Sequence, residues 1–202
     1  MRKKIKILKE YFRVNKKFFL FFEILLLIGI ISGSVFSLTL SETDSNLVSE
    51  YLNNLVTSIS NNSYKNILST TILSNSFIVI VIFLLGFNII GILFNLLILF
   101  YKSFTIGFCL SSFIVNFKIK GILYSFLYVF PHQASFMVLL TILISYSINI
   151  SLGLLKLLLK RDNVKVNTLK YFKLFILTFI LTLLISFYEA IIVPRLLFEV
   201  CK

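Results

Sequence analysis

Acidic side chains are scarce in this chain. Eight Asp and Glu face twenty Lys and Arg, which leaves a formal net charge of +12. In a soluble protein that balance would point to nucleic acid. Two cysteines, Cys109 inside an apolar run and Cys201 near the end, supply neither a disulfide framework nor metal-ligand spacing. His132 is the only histidine. With no carboxylate or second ligand near it in the sequence, it reads as a cap or turn residue beside Pro131, not as a general base or metal ligand. His-Glu-x-x-His, Gly-x-Ser-x-Gly and a glycine-rich phosphate loop are all missing. The expectation is a protein that is not an enzyme and needs no metal or cofactor.

What is abundant is apolar surface. The chain is 58% hydrophobic, with a mean hydropathy of +0.99. Several uninterrupted runs reach membrane-spanning length, and the basic residues cluster beside those runs. Positive flanks of membrane segments therefore explain the charge, and no nucleic-acid partner is expected. The fold class is all-α: a polytopic integral membrane helical bundle forming one membrane domain over 1–202. About five transmembrane helices are expected, with a short re-entrant or interfacial helix and an extracytoplasmic amphipathic helix.

The spans are placed at Phe18–Leu40, Phe77–Phe100, Phe104–Phe117, Ala134–Leu155 and Tyr171–Val193. The first is too long for a signal peptide and is expected to stay uncleaved. Residues 1–17 carry eight basic residues against Glu10, and the segment 156–170 is also basic. Both are predicted to be cytoplasmic. The loop 41–76 holds Glu42, Asp44 and Glu50 against Lys65 and is predicted to lie outside. Counting crossings then puts Lys102 inside, and Lys118 and Lys120 outside, against the charge bias. Within the outer loop Leu47, Tyr51, Leu52, Leu55 and Ile59 recur at helical spacing, with Asp44 or Ser45 available as N-cap. That face suits either the outer leaflet or an extracytoplasmic protein.

Every span carries small or polar residues three or four positions apart, the spacing that lets helices approach closely in lipid. These are Gly29, Gly33 and Ser37; Asn88, Gly91 and Asn95; Ser103, Gly107 and Ser111; Thr141, Ser145, Asn149 and Gly153; and Thr178, Thr182, Ser186 and Ala190. Packing within one chain is the expected use, ahead of homodimerisation through "GIISG". Ionisable groups at membrane depth are few. Glu23 reads as a snorkelling residue, and Glu189 as a counter-ion for Lys118 or Lys120. The stretch "KIKGILYSFLYVFPHQ" (118–133) is too short to span. It is expected to turn at Gly121, dip back over Ile122–Phe130 and restart a helix at Pro131.

The order of motifs carries a resemblance. "LLGFNIIG" (84–91) precedes "LILFYKSFTIGF" (97–108), "KGILYSFLYVFPHQ" (120–133), a long apolar span, a basic loop and "FYEAIIVP" (187–194). This ordered set resembles the stage II sporulation protein M family over nearly the whole chain. Ser103, Leu93 and His132-Gln133 depart from its usual residues, which marks a divergent member. The resemblance implies an integral protein of the bacterial cell membrane without its own catalytic centre. In endospore formers such proteins localise peptidoglycan hydrolases at the septal membrane during engulfment. The partners implied are a lytic transglycosylase and an amidase/endopeptidase, besides the lipid bilayer. A membrane protein of a bacteriocin maturation or immunity cluster, or a transporter subunit, is the alternative.

Overall fold

Apolar runs of this length leave the backbone one way to satisfy its own N–H and C=O groups in lipid, which is to coil. The computed structural model describes residues 16–60, 64–126, 130–159 and 168–200, all helical apart from short connections. The helices are α1 (Lys16–Leu38), α2 (Glu42–Ser60), α3 (Tyr64–Leu85), α4 (Gly91–Tyr124), α5 (Phe130–Leu158) and α6 (Thr168–Val200). Five hold stretches long and apolar enough to cross a membrane: Leu20–Leu38, Leu68–Leu85, Gly91–Tyr124, Pro131–Leu158 and Thr168–Ile191. The protein is a polytopic membrane bundle. Most of the two basic segments, 1–15 and 160–167, lies outside the described residues.

The second and third spans are placed differently from the sequence reading. The run Phe77–Phe100 is not one span, because the chain turns at 86–90 between α3 and α4. There the Gly86 N–H still reaches Ile82 O and Phe83 O, and the next two amides close tighter turns onto Leu84 O and Leu85 O. Asn88, assigned above to a packing stripe, is an exposed turn residue whose Oδ1 accepts the Ile90 N–H at 3.2 Å. The third span begins at Gly91 and passes through Lys102 without a break. From Gly91 to Phe117 it rises roughly 40 Å at 1.5 Å per residue, ample for the hydrocarbon core.

The tightest seam joins α1 to α4. A Cβ on Gly29 would run into the Ser103 side chain, one on Gly33 into Phe104 O, and one on Gly107 into Ile30 O. Small residues thus face small residues, and the backbones come close enough for side chains to reach across. Ser34 Oγ donates to Gly107 O at 3.1 Å, and the Ser37 and Ser112 hydroxyls bond at 2.8 Å. Along α4 the buried positions Gly91, Asn95, Leu99, Ser103, Gly107 and Ser111 recur every four residues.

The central helix is α5. Its apolar stretch is 56% buried, against 17–28% for the other four spans. Thr141, Ser145 and Gly153 are buried on it, and the Asn95 Nδ2–H donates to Ser147 Oγ at 2.7 Å. The carbonyls at the end of α3 and at Gly86 just beyond it also accept hydrogen bonds from neighbouring helices. Ser147 donates to Ile82 O, Ser151 to Gly86 O, and the Tyr171 hydroxyl lies 3.1 and 3.0 Å from Ile82 O and Phe83 O. On α6, Thr178, Thr182, Ser186 and Ala190 are buried, and Asn75 of α3 donates to Ser186 Oγ at 3.3 Å. Replacing Gly33 by Leu is expected to cost about 2 kcal/mol or more through forced separation of α1 from α4. Ile31→Leu, on the exposed side of the same helix, is expected to be silent. Unfolding by SDS in mixed micelles measures both.

Candidate functional site

The features that differ from plain lipid-facing helix gather at one end of the bundle. This is the end where α1 hands over to α2, α4 to α5, and where α6 finishes. The hydroxyl of Ser41 starts α2, accepting the Asp44 N–H at 3.2 Å and donating to Asp44 Oδ2 at 2.6 Å. Ser41 is therefore the N-cap, and Asp44 its partner in the first turn. Along α2 the five expected docking residues do not share one role. Leu52 is 5% exposed and packs with Phe113 and Tyr124, joined by Val48, Phe117 and Tyr188. Leu47 and Tyr51 are 64% and 66% exposed. The side chains of Leu55 and Ile59 lie outside the described residues. Leu52 is thus withdrawn from any partner because it seats α2 on α4 and α6.

Lys118 sits beside that seat. It has φ 53° and ψ −124° and breaks α4 into two pieces. The reversal expected at Gly121 therefore occurs three residues earlier. A left-handed φ on a residue with a Cβ is strained, so the packing around the break must hold it. Gly121 serves close approach instead, since a Cβ there would collide with Phe113 O. The chain consequently doubles back on α4 until Ser125, whose N–H reaches Gly121 O and Ile122 O. Pro131 lies in the first turn of α5, where its missing N–H costs nothing.

Lys118 and Lys120 are exposed and need no buried counter-ion, which removes the reason for pairing them with Glu189. The carboxylate of Glu189 instead meets His132, with Oε1 3.3 Å from Nε2. Both residues are buried, at 8% and 3% exposure. The third member is Lys102, partly buried and well inside the helical run of α4. Its Nζ lies 5.7 Å from the centroid of the Phe136 ring, one turn along α5 from His132, a distance suited to cation–π attraction. Its charge acts on both Glu189 and His132. Three spans thus contribute one ionisable residue each to a cluster inside the bundle. Glu189 Oε2 is buried without a hydrogen-bond partner among the described residues, and the charge of Lys102 offsets part of the cost of burying it. Glu23, by contrast, is exposed on α1.

His132 also lines a groove of about 580 Å³ between α5 and α6, with Pro131, Ser135, Val138, Leu184 and Tyr188 among its walls. No group of three or more metal-ligating side chains occurs among the described residues. Sequence reasoning missed Lys102 and the His132–Glu189 contact. A signal for the first was present. The four-residue series Gly91, Asn95, Leu99, Ser103, Gly107, Ser111 runs unbroken past Lys102, which is what one continuous helix produces.

The family model described as stage II sporulation protein M matches residues 19–194, from the start of the first span to beyond the charged cluster. The chain belongs to the stage II sporulation protein M family. Neither a curated protein nor a solved structure matches it. The match covers the seam, the kinked α4 and α2 alike. Within this family member, Lys102→Met and Glu189→Gln are each expected to destabilise the bundle by about 3 kcal/mol, because each leaves a buried partner uncompensated. The double variant is expected to lose less than the sum. Strict additivity in a double-mutant cycle would show that the two residues are uncoupled.

Proposed function

We propose that this protein is a membrane scaffold of the sporulation engulfment machinery. It carries no chemistry of its own and holds extracytoplasmic peptidoglycan hydrolases, a lytic transglycosylase and an amidase/endopeptidase, at the septal membrane. The observation that carries this reading is α2 clamped onto the bundle through Leu52, in a chain matched to the family over residues 19–194. A helix fixed by one face and exposed on the other positions a partner relative to the membrane without floating on it. Charge supports the sidedness. The basic N-terminal segment and the basic segment before α6 are placed in the cytoplasm. That puts α2, Lys118 and Lys120 outside, where the hydrolases work.

The second reading, a transporter subunit, draws on the Lys102–His132–Glu189 cluster beside its groove, since ionisable groups in spans often mark a transport path. A solute flux in liposomes carrying the purified protein, abolished by Glu189→Gln, would favour that reading over the scaffold.

Two measurements test the scaffold. In a background with Cys109→Ser and Cys201→Ser, Lys118→Cys is expected to react with a membrane-impermeant maleimide in intact cells, and Lys156→Cys only after permeabilisation. A deletion strain is expected to stall in engulfment with mislocalised hydrolases, and the Leu47→Asp/Tyr51→Asp variant to restore membrane insertion but not engulfment. Normal engulfment in the deletion strain would remove the proposal.

A further inference from the structure

The outward side of α2 has a composition that specifies its partner more narrowly. At 100° per residue, Val48 and Leu52 lie on one side of the helix, together with the half-buried Ser45 and Ser49. Glu50, Leu47, Tyr51 and Asp44, all exposed, follow one another in that order over about 120° of the remaining surface, Glu50 and Leu47 opposite the buried side and Asp44 at its edge beside Val48. An apolar pair is thus flanked by two carboxylates on one surface. The whole of α2, Glu42–Ser60, contains three acidic residues and no Lys or Arg, in a chain whose formal net charge is +12.

That sign discriminates between the two surfaces α2 could meet. Helices that lie on bacterial lipid bring Lys and Arg on their polar face, because the headgroups are anionic. An acidic helix is repelled by such a surface. The apolar side that would enter the lipid is, moreover, already occupied by Phe113, Tyr124 and Tyr188. Leu47 and Tyr51 remain; exposed apolar side chains rimmed by polar groups mark protein or membrane contacts, and the acidic rim favours protein. Tyrosine is among the residue types that dominate binding energy at such contacts.

We infer that the Asp44–Leu47–Glu50–Tyr51 face of α2 docks a water-soluble protein surface in which an apolar pocket is ringed by Lys or Arg. The pocket takes Tyr51 and Leu47, and the basic ring meets Glu50 and Asp44. The carboxylates steer association and reject the anionic membrane, while the apolar pair supplies the close contact. This rests on the scaffold reading, and it adds the chemistry of the partner.

The test uses the full-length protein in nanodiscs of neutral lipid. The probes are the purified ectodomains of the lytic transglycosylase and the amidase/endopeptidase from the same bacterium, with binding measured at about 50 and 300 mM NaCl. Wild type is expected to bind one ectodomain, with affinity falling about tenfold at the higher salt. Glu50→Lys is expected to lose about tenfold at low salt, Glu50→Gln less. Tyr51→Ala is expected to lose about tenfold at both salts, and unchanged thermal unfolding of each variant confirms that the bundle is intact. Binding that ignores both salt and Glu50→Lys would overturn the charge-matched partner and leave the scaffold reading standing. Binding of neither ectodomain would overturn both. A further arm attaches an environment-sensitive dye at Tyr51→Cys, in the background lacking the native cysteines, in discs of phosphatidylglycerol. A blue shift relative to neutral discs would place this face in lipid and overturn the proposal, whereas an unshifted spectrum supports it.

Discussion

Helices in a bilayer gain nothing by hiding apolar surface from one another, because the lipid tails are as apolar as their side chains. Everything that assembles this protein must therefore come from close backbone approach and from polar groups that find partners inside the chain. The α1–α4 seam meets the first demand. Gly29, Gly33 and Gly107 each sit where any side chain would collide with the facing helix, and the Ser37–Ser112 hydrogen bond fastens the seam at its α2 end. The second demand is met at the opposite end, where Ser147, Ser151 and Tyr171 donate to carbonyls at the end of α3 and at Gly86 just beyond it.

The same constraint positions the features tied to function. Lys102, His132 and Glu189 come from three different spans: the Glu189 carboxylate meets His132, and the charges of Lys102 and Glu189 act on each other in the low-dielectric interior. Their cluster joins α4, α5 and α6. Leu52 packs α2 onto α4 and α6, through an apolar contact that includes Tyr188, the neighbour of Glu189 in sequence. The proposed scaffold role would need such support, since a recruiting surface that swung freely would localise its partner poorly. The geometry seats α2 on the bundle; what that helix holds is the proposal.

Much of the architecture was legible in the sequence, and the misplacements have physical causes. Five apolar spans and an amphipathic helix between the first two follow from hydropathy and period alone. The limits of the second and third spans did not, because Phe77–Phe100 contains no charge to announce the turn at Gly86–Asn88, whereas Lys102 looked like a boundary. In lipid a lysine ends a helix only if it cannot find a partner, and Phe136 with Glu189 provides one. The His132–Glu189 contact was hidden for a different reason, since the two residues belong to spans distant in sequence and only the packing of α5 on α6 brings them together. Lys118 misled as well. Glycine is the usual residue at a left-handed φ, so the turn was sought at Gly121, which is small for the sake of Phe113 O. In α2 the heptad-like spacing identified the helix but not which apolar residues it keeps for itself, because Leu47 and Leu52 are indistinguishable without the bundle beside them.

Whether the small-residue seam lies within one chain decides the account. In a protein lacking its native cysteines, Ser37→Cys/Ser112→Cys places two thiols where the hydroxyls are 2.8 Å apart. Mild oxidation in native membranes should cross-link them rapidly and within the monomer, giving a faster-migrating species that reducing agent reverses. A cross-linked dimer, or no cross-link, would show that α1 packs elsewhere and that the bundle described here is not the one in the membrane.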